Sequence, residues 1–177
     1  MARTKFISDD AVLATVRQLL AAGGDKAVTF ASVAQAARLA AATLVQRFGS
    51  REAMLRAALV AAWDALDAAT AVAEAEAPMT AKGAQGLLKA LGAQCPEAVD
   101  LAHLAAGFRD AALRARAESW RARIEAALAA RLGAAADGRE TAETAALLFA
   151  AWQGQLLWQD AGGKGFRLKD AMRRISG

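Results

Sequence analysis

Apolar positions along this chain recur with helical period, and cap and turn residues mark the breaks between runs. Val12, Val16, Leu19 and Leu20 form one stripe, Ser8 or Asp9 can cap it and Gly23-Gly24 stops it, predicting a helix over about 9–22. Thr29 caps a second, short helix over 30–37 with Val33 inward, and a tight turn at 38–40 leads to a third over 41–47. Gly49 ends that one, and Ser50 caps a fourth running to about residue 73. The stretch Glu76-Ala77-Pro78-Met79-Thr80 reads as a linker. Beyond it the pattern predicts helices over 81–93, over 97–106 after a Cys95-Pro96 break, and over about 108–132. In the last of these Leu113, Ala117, Trp120, Ile124 and Leu128 share a face. Residues 140–159 are apolar almost all round, and a short basic helix over 166–175 closes the chain.

Composition sharpens the picture to an all-α protein. Alanine fills 52 of 177 positions against eight Val, three Ile and no Tyr, a balance that favours helix and excludes a sandwich, barrel or parallel sheet. One cysteine excludes a disulfide framework and fits a reducing, cytoplasmic setting. No apolar run reaches about 18 residues, so no membrane span is expected, and the first ten residues lack the apolar core of a signal peptide. Charge is distributed in blocks. Residues 1–56 carry eight bases and four acids, residues 57–80 carry Asp64, Asp67, Glu74 and Glu76 with no base, and the remainder carries fourteen bases and ten acids. This predicts a basic module over 1–50 and a larger helical body over 51–177, joined by a long, acidic connecting helix over about 51–73.

The first fifty residues carry the functional signal. Two short helices that pack through Val33, Ala37, Leu39, Leu44 and Phe48 make a helix-turn-helix, and the outer face of its second helix is free to enter a major groove. That helix is expected to turn Thr43, Gln46 and Arg47 outward. Gln pairs bidentately with adenine, and Arg with guanine or a phosphate. Arg51, in the first turn of the next helix, can meet a phosphate together with free backbone N–H groups. Arg3 and Lys5 form a basic arm ahead of the first helix that can reach DNA.

The run from Val28-Thr29-Phe30 through Leu39 and Thr43-Leu44 to Phe48-Gly49-Ser50-Arg51-Glu52-Ala53-Met54-Leu55 resembles the TetR family of bacterial transcriptional regulators. The resemblance is specific over about residues 8–60 and architectural over 61–177. It implies a homodimer that binds double-stranded DNA at a palindromic operator, most often as a repressor released by a small-molecule effector. It also implies phosphate contacts from Thr29 and Arg51, and groove-facing positions at Ala41, Thr43, Gln46 and Arg47. Four positions depart from the family pattern. Arg38 stands where Gly is common, Ala40 where Ser or Thr is, Val45 where Tyr is and Ala31 where Arg is. The third helix thus lacks a side-chain cap worth about 1 kcal/mol, and the module has fewer phosphate contacts.

In the body, a helix apolar all round must be buried on every side. The expected solution for 140–159 is one face in the monomer core and the other against a second copy, with Leu147, Ala151, Gly154 and Trp158 at the interface and Ala151 and Gly154 allowing close backbone approach. Trp63, His103, Phe108, Trp120, Phe149 and Trp152 are candidates to line an apolar effector pocket. Arg109, Arg116 and Arg123 flank one side of the 108–132 stripe and Arg114 and Arg121 the other. With Glu118 and Glu125 a turn away they read as a solvated, self-paired surface, as do Glu74 and Glu76. One histidine, no metal-ligand cluster and no phosphate-binding glycine loop argue against an enzyme, a metal or a cofactor. The alternative is a helical ligand-binding or interaction protein with a vestigial helix-turn-helix.

Overall fold

Side-chain caps start most of the helices. Ser8 accepts a hydrogen bond from the Ala11 N–H to open α1 (Asp9–Gly23). Thr29 and Ser32 form a reciprocal capping box on α2 (Phe30–Ala37), and Ser50 accepts from Ala53 N–H to open α4 (Arg51–Glu76). Between them α3 (Ala41–Phe48) begins at Ala40 with no side-chain cap, as its sequence requires. A computed structural model describes residues 7–94, 104–105, 107–133, 138–158, 161–162 and 170. The remaining described helices are α5 (Ala81–Gln94), α6 (Ala111–Leu132) and α7 (Gly138–Trp158). The helices expected at 97–106 and 166–175 lie largely outside the described residues.

The connecting helix α4 organises the molecule. It has 26 residues, a rod about 39 Å long. Its first turns pack on α1, which also holds α2, and Met54 and Ala58 join Val12, Val16, Val33 and Leu44 in the core of the N-terminal module. Its later turns pack on α5 and α6 through Trp63, Leu66 and Ala73, and α7 lies on α6. The buried residues of both parts form one continuous cluster, so α1–α3 are seated on the body rather than tethered to it.

The acidic and basic stretches meet across α4 and α6. Arg116 binds Asp64 and Asp67, Arg123 grips both carboxylate oxygens of Glu74, and Arg56 holds Asp110 at 2.6 Å. This corrects the expectation that these charges are self-paired or solvated. Of the sequence-expected pairs within this helix, Arg121–Glu125 forms, while Arg116, Arg123 and Glu74 take partners about fifty residues away. Partial burial opposes the charge on Arg116, yet the hydrogen bonds and charges of Asp67 and Asp64 outweigh it and raise its pKa. The hydrogen bond to Glu74 raises that of Arg123. At the other end of the ladder, the Arg56 hydrogen bond and the Leu113 N–H hold the Asp110 carboxyl below its ordinary pKa. Arg131, 6% exposed, completes the row by donating to the carbonyls of Glu74 and Ala77, where a cation complements the C-terminal end of α4.

A tight turn joins α4 to α5. Thr80 accepts from the Gly83 N–H, and a Cβ built on Gly83 would collide with the Pro78 carbonyl oxygen. Gly83→Ala is therefore expected to cost about 2–3 kcal/mol, because backbone rather than a flexible side chain must move. Urea unfolding checks this; a loss below about 0.5 kcal/mol would show that the turn yields freely.

Candidate nucleic-acid interface

Burial of Leu44, with Phe48 half-buried one turn on, orients α3. Ala41, Ala42, Val45 and Gln46 are left exposed on its outer face, with Thr43 half-buried at the edge. Val45 is 47% exposed, an apolar contact suited to a thymine methyl group. Gln46 is the hydrogen-bonding side chain of that outer face. Of the positions expected to face the groove, Ala41 and Gln46 are exposed; Ala42 and Val45, exposed beside them, were not among those expected. The i, i+4 spacing of Leu44 and Phe48 carried that signal.

The turn before α3 is made in an unusual way. Arg38 closes α2 in the left-handed conformation, φ 55°, while its N–H and that of Leu39 satisfy the last carbonyls of α2. A non-glycine residue there costs about 1 kcal/mol, which explains why glycine suits this position. The Arg38 side chain is exposed in the turn that leads into α3, and Lys26 is exposed in the 3-10 turn Asp25–Ala27. Neither residue was singled out from sequence as a DNA contact.

Two of the expected DNA contacts have partners within the chain. Arg47 does not point out from α3. Its guanidinium donates to the Ile7 carbonyl at 2.8 Å and pairs with Asp9 at 3.1 Å, and only 20% of its side chain is exposed. It ties α3 to the start of α1, because position 47 follows Leu44 by three residues and so turns toward the core. Arg51 likewise donates to the Val28 carbonyl at 2.6 Å and pairs with Asp25 at 2.9 Å. It braces the loop before α2 and leaves 29% of its side chain exposed. Thr29 is exposed, but its hydroxyl oxygen already accepts the Ser32 N–H. Arg3 and Lys5 lie outside the described residues.

The body departs from expectation at the pocket. Trp63, Trp120 and Phe149 line no cavity, whereas Trp152 packs against them and also borders a groove between α5 and α7. They pack on one another, with Trp120 at ring-centroid distances of 6.0 Å from Trp63, 5.8 Å from Phe149 and 6.5 Å from Trp152. Rings that close fill the space a ligand would need. Phe108 is 40% exposed on a 3-10 turn ahead of α6, so it lines no interior pocket either. His103 and Cys95 lie outside the described residues. The groove between α5 and α7 contains one of the expected pocket residues, Trp152.

The exposed face of α7 carries Leu147, Ala150, Leu157 and Trp158, with Ala151 and Gly154 half-buried between them. Leu147, Leu157 and Trp158 are each about 60% exposed, at 59%, 65% and 60%. A Cβ on Gly154 would meet nothing within 4 Å. Leu148, Phe149 and Trp152 occupy the opposite, buried face. Among the described residues no helix is long and apolar enough to cross a membrane, and no cluster of three His, Cys, Asp or Glu is placed to hold a metal.

Comparison with known proteins places this geometry. Residues 12–58, α1 to the first turns of α4, match the family model described as bacterial regulatory proteins, tetR family. No curated protein matches the chain by sequence. Among solved structures it is similar to a transcriptional regulator from Rhodococcus sp. Rha1, with TM-score 0.71 and 20% identity over 96% of this chain and 92% of that one. A putative TetR-family transcriptional regulator from Rhodococcus sp. gives 0.63 and 21%, covering 96% and 94% of the two chains. The TetR-family transcriptional regulator PfmR from Thermus thermophilus gives 0.64 and 20%, covering 93% and 94%. The N-terminal module is thus that of the tetR family of bacterial regulatory proteins, carried by a chain with the fold of TetR-family transcriptional regulators.

Proposed function

We propose that this protein is a homodimeric, cytoplasmic repressor that binds a palindromic operator in double-stranded DNA and releases it on binding a small-molecule effector, with no catalytic role. The observation that carries the reading is the outer face of α3. It belongs to a helix-turn-helix packed on α1 and α4, exposes Val45 and Gln46, and lies in a module with the exposed cations Lys26 and Arg38 on turns. Two such modules, held by the apolar faces of two α7 helices, would present recognition helices one DNA turn apart, about 34–36 Å.

The test is selection of duplexes from a random pool by the purified protein, followed by salt titration of the enriched site. A two-fold symmetric site whose affinity falls steeply with salt is expected. Gln46→Ala is expected to cost about 1–3 kcal/mol and to relax the base preference at one position in each half-site. Arg47→Ala should destabilise the module instead of relaxing preference, since its guanidinium is spent on Ile7 and Asp9. Equal loss on all sequences for Gln46→Ala would remove it as the base reader.

The internal ties of Arg47 and Arg51 favour one second reading, a helical ligand-binding protein whose helix-turn-helix has lost DNA. No salt-dependent binding to any duplex, with or without candidate effectors, would establish it over the first.

A further inference from the structure

Helices α5 and α7 both pack on α6 and leave an open groove of about 650 Å³ between them. One wall is the α5 row Lys82, Gln85, Gly86 and Lys89, at i, i+3, i+4 and i+7 on one face. The other wall is Trp152, Gln155 and Leu156 of α7. At the floor Gly92 faces the Trp152 indole edge and Leu156: a Cβ there would lie 3.8 Å from both Trp152 Nε1 and Leu156 Cδ2.

The lining has one chemical sense. Lys82 and Lys89 are rooted about 10 Å apart along α5, within reach of a common anion by their flexible four-carbon stems. Amides from both helices add donors, and Leu156 with the edge of the Trp152 ring supplies apolar surface. None of the described lining residues is acidic, and neither lysine is ion-paired to a described residue, in contrast to Arg116 and Arg123 in the ladder. Cationic rims over an apolar bed complement a molecule with an anionic end and a hydrocarbon body.

We infer that the α5–α7 groove binds an organic carboxylate with an apolar body, held by Lys82 and Lys89 at its charged end and by Trp152 and Leu156 along its hydrocarbon. This deepens the proposed function and rests on it only in making that carboxylate the effector. The groove borders α7, whose other face is the proposed dimer seam, so an occupant prying α5 from α7 acts on the element that sets the spacing of the two DNA-binding modules.

Isothermal titration of the full chain with decanoate, in the absence of DNA, tests the inference against decanol as the uncharged probe of equal length. Saturable decanoate binding is expected, at least tenfold tighter than decanol. Lys82→Glu with Lys89→Glu should weaken it at least tenfold. Gly86→Phe should do the same by filling the groove, and it should fold normally, because a Cβ there meets nothing within 4 Å. Decanol binding as tightly as decanoate, no saturation, or unchanged affinity in both variants would overturn the inference. Duplex binding measured separately without decanoate keeps the two readings apart. Intact duplex binding with no decanoate uptake removes the groove alone, whereas decanoate uptake without duplex binding upholds the groove and removes the DNA reading.

Discussion

Leu147→Glu combined with Leu157→Glu is expected to convert a dimer to a folded monomer and to cost operator affinity at least about 100-fold. Both side chains are more than half exposed in the isolated chain, so the monomer should tolerate the change with an unaltered helical spectrum. In a dimer each glutamate would be buried against apolar surface with no cation to meet it, and a buried unpaired charge costs several kcal/mol. The described part of this stripe, Leu147, Ala150, Ala151, Gly154, Leu157 and Trp158, has no charged member. Losing the dimer loses the second half-site contact, which supplies the affinity gain of a tethered pair. Sedimentation equilibrium and duplex titration are the measurements. A double variant that still sediments as a dimer would mean that α7 is not the seam.

Trp120→Ala should be the most destabilising single substitution in the body, at about 3–5 kcal/mol. The indole is 3% exposed and touches the rings of Trp63, Phe149 and Trp152, so it joins α4, α6 and α7 at one point. Its Nε1 donates to the Thr70 hydroxyl at 2.9 Å, and Thr70 donates in turn to the Leu66 carbonyl at 2.7 Å. Truncation opens a large cavity and removes one buried hydrogen bond; Trp120→Phe keeps a ring contact and should lose less than half as much. Denaturant unfolding of the two variants separates these contributions. A loss under about 1 kcal/mol for the alanine variant would show that the three neighbouring rings close over the gap unaided.

Trp120 also shows where reading along the chain stops. Its place on the apolar stripe of 108–132 follows from the helical period alone, and so does its burial. Whether four aromatic residues enclose a cavity or fill one depends on the distances between α4, α6 and α7, which no spacing along a single helix contains. Position 47 fails for a related reason. Arg is chemically suited to read guanine, but rotation about the α3 axis is set by Leu44 packing into the module, and that rotation sends Arg47 toward Ile7 and Asp9.

The one-dimensional pattern determined what local physics can determine. Thr29, Ser50 and Gly49 bound their helices because caps and left-handed breaks act within four residues, and the abundance of alanine excludes sheet by propensity summed over the whole chain. The order Thr29 to Leu55 placed the helix-turn-helix for the same reason, and the exposed stripe of α7 was visible as apolar surface in excess of what one small core can cover. Tertiary structure alone decided which cation meets which anion, which aromatic residues touch and where the open groove lies. Arg116 finds Asp64 and Asp67, Arg123 finds Glu74, and Lys82 and Lys89 are left facing a groove. Coulombic partners and cavities are set by distance in space, and in a bundle the helices that meet are separated by about fifty residues of chain.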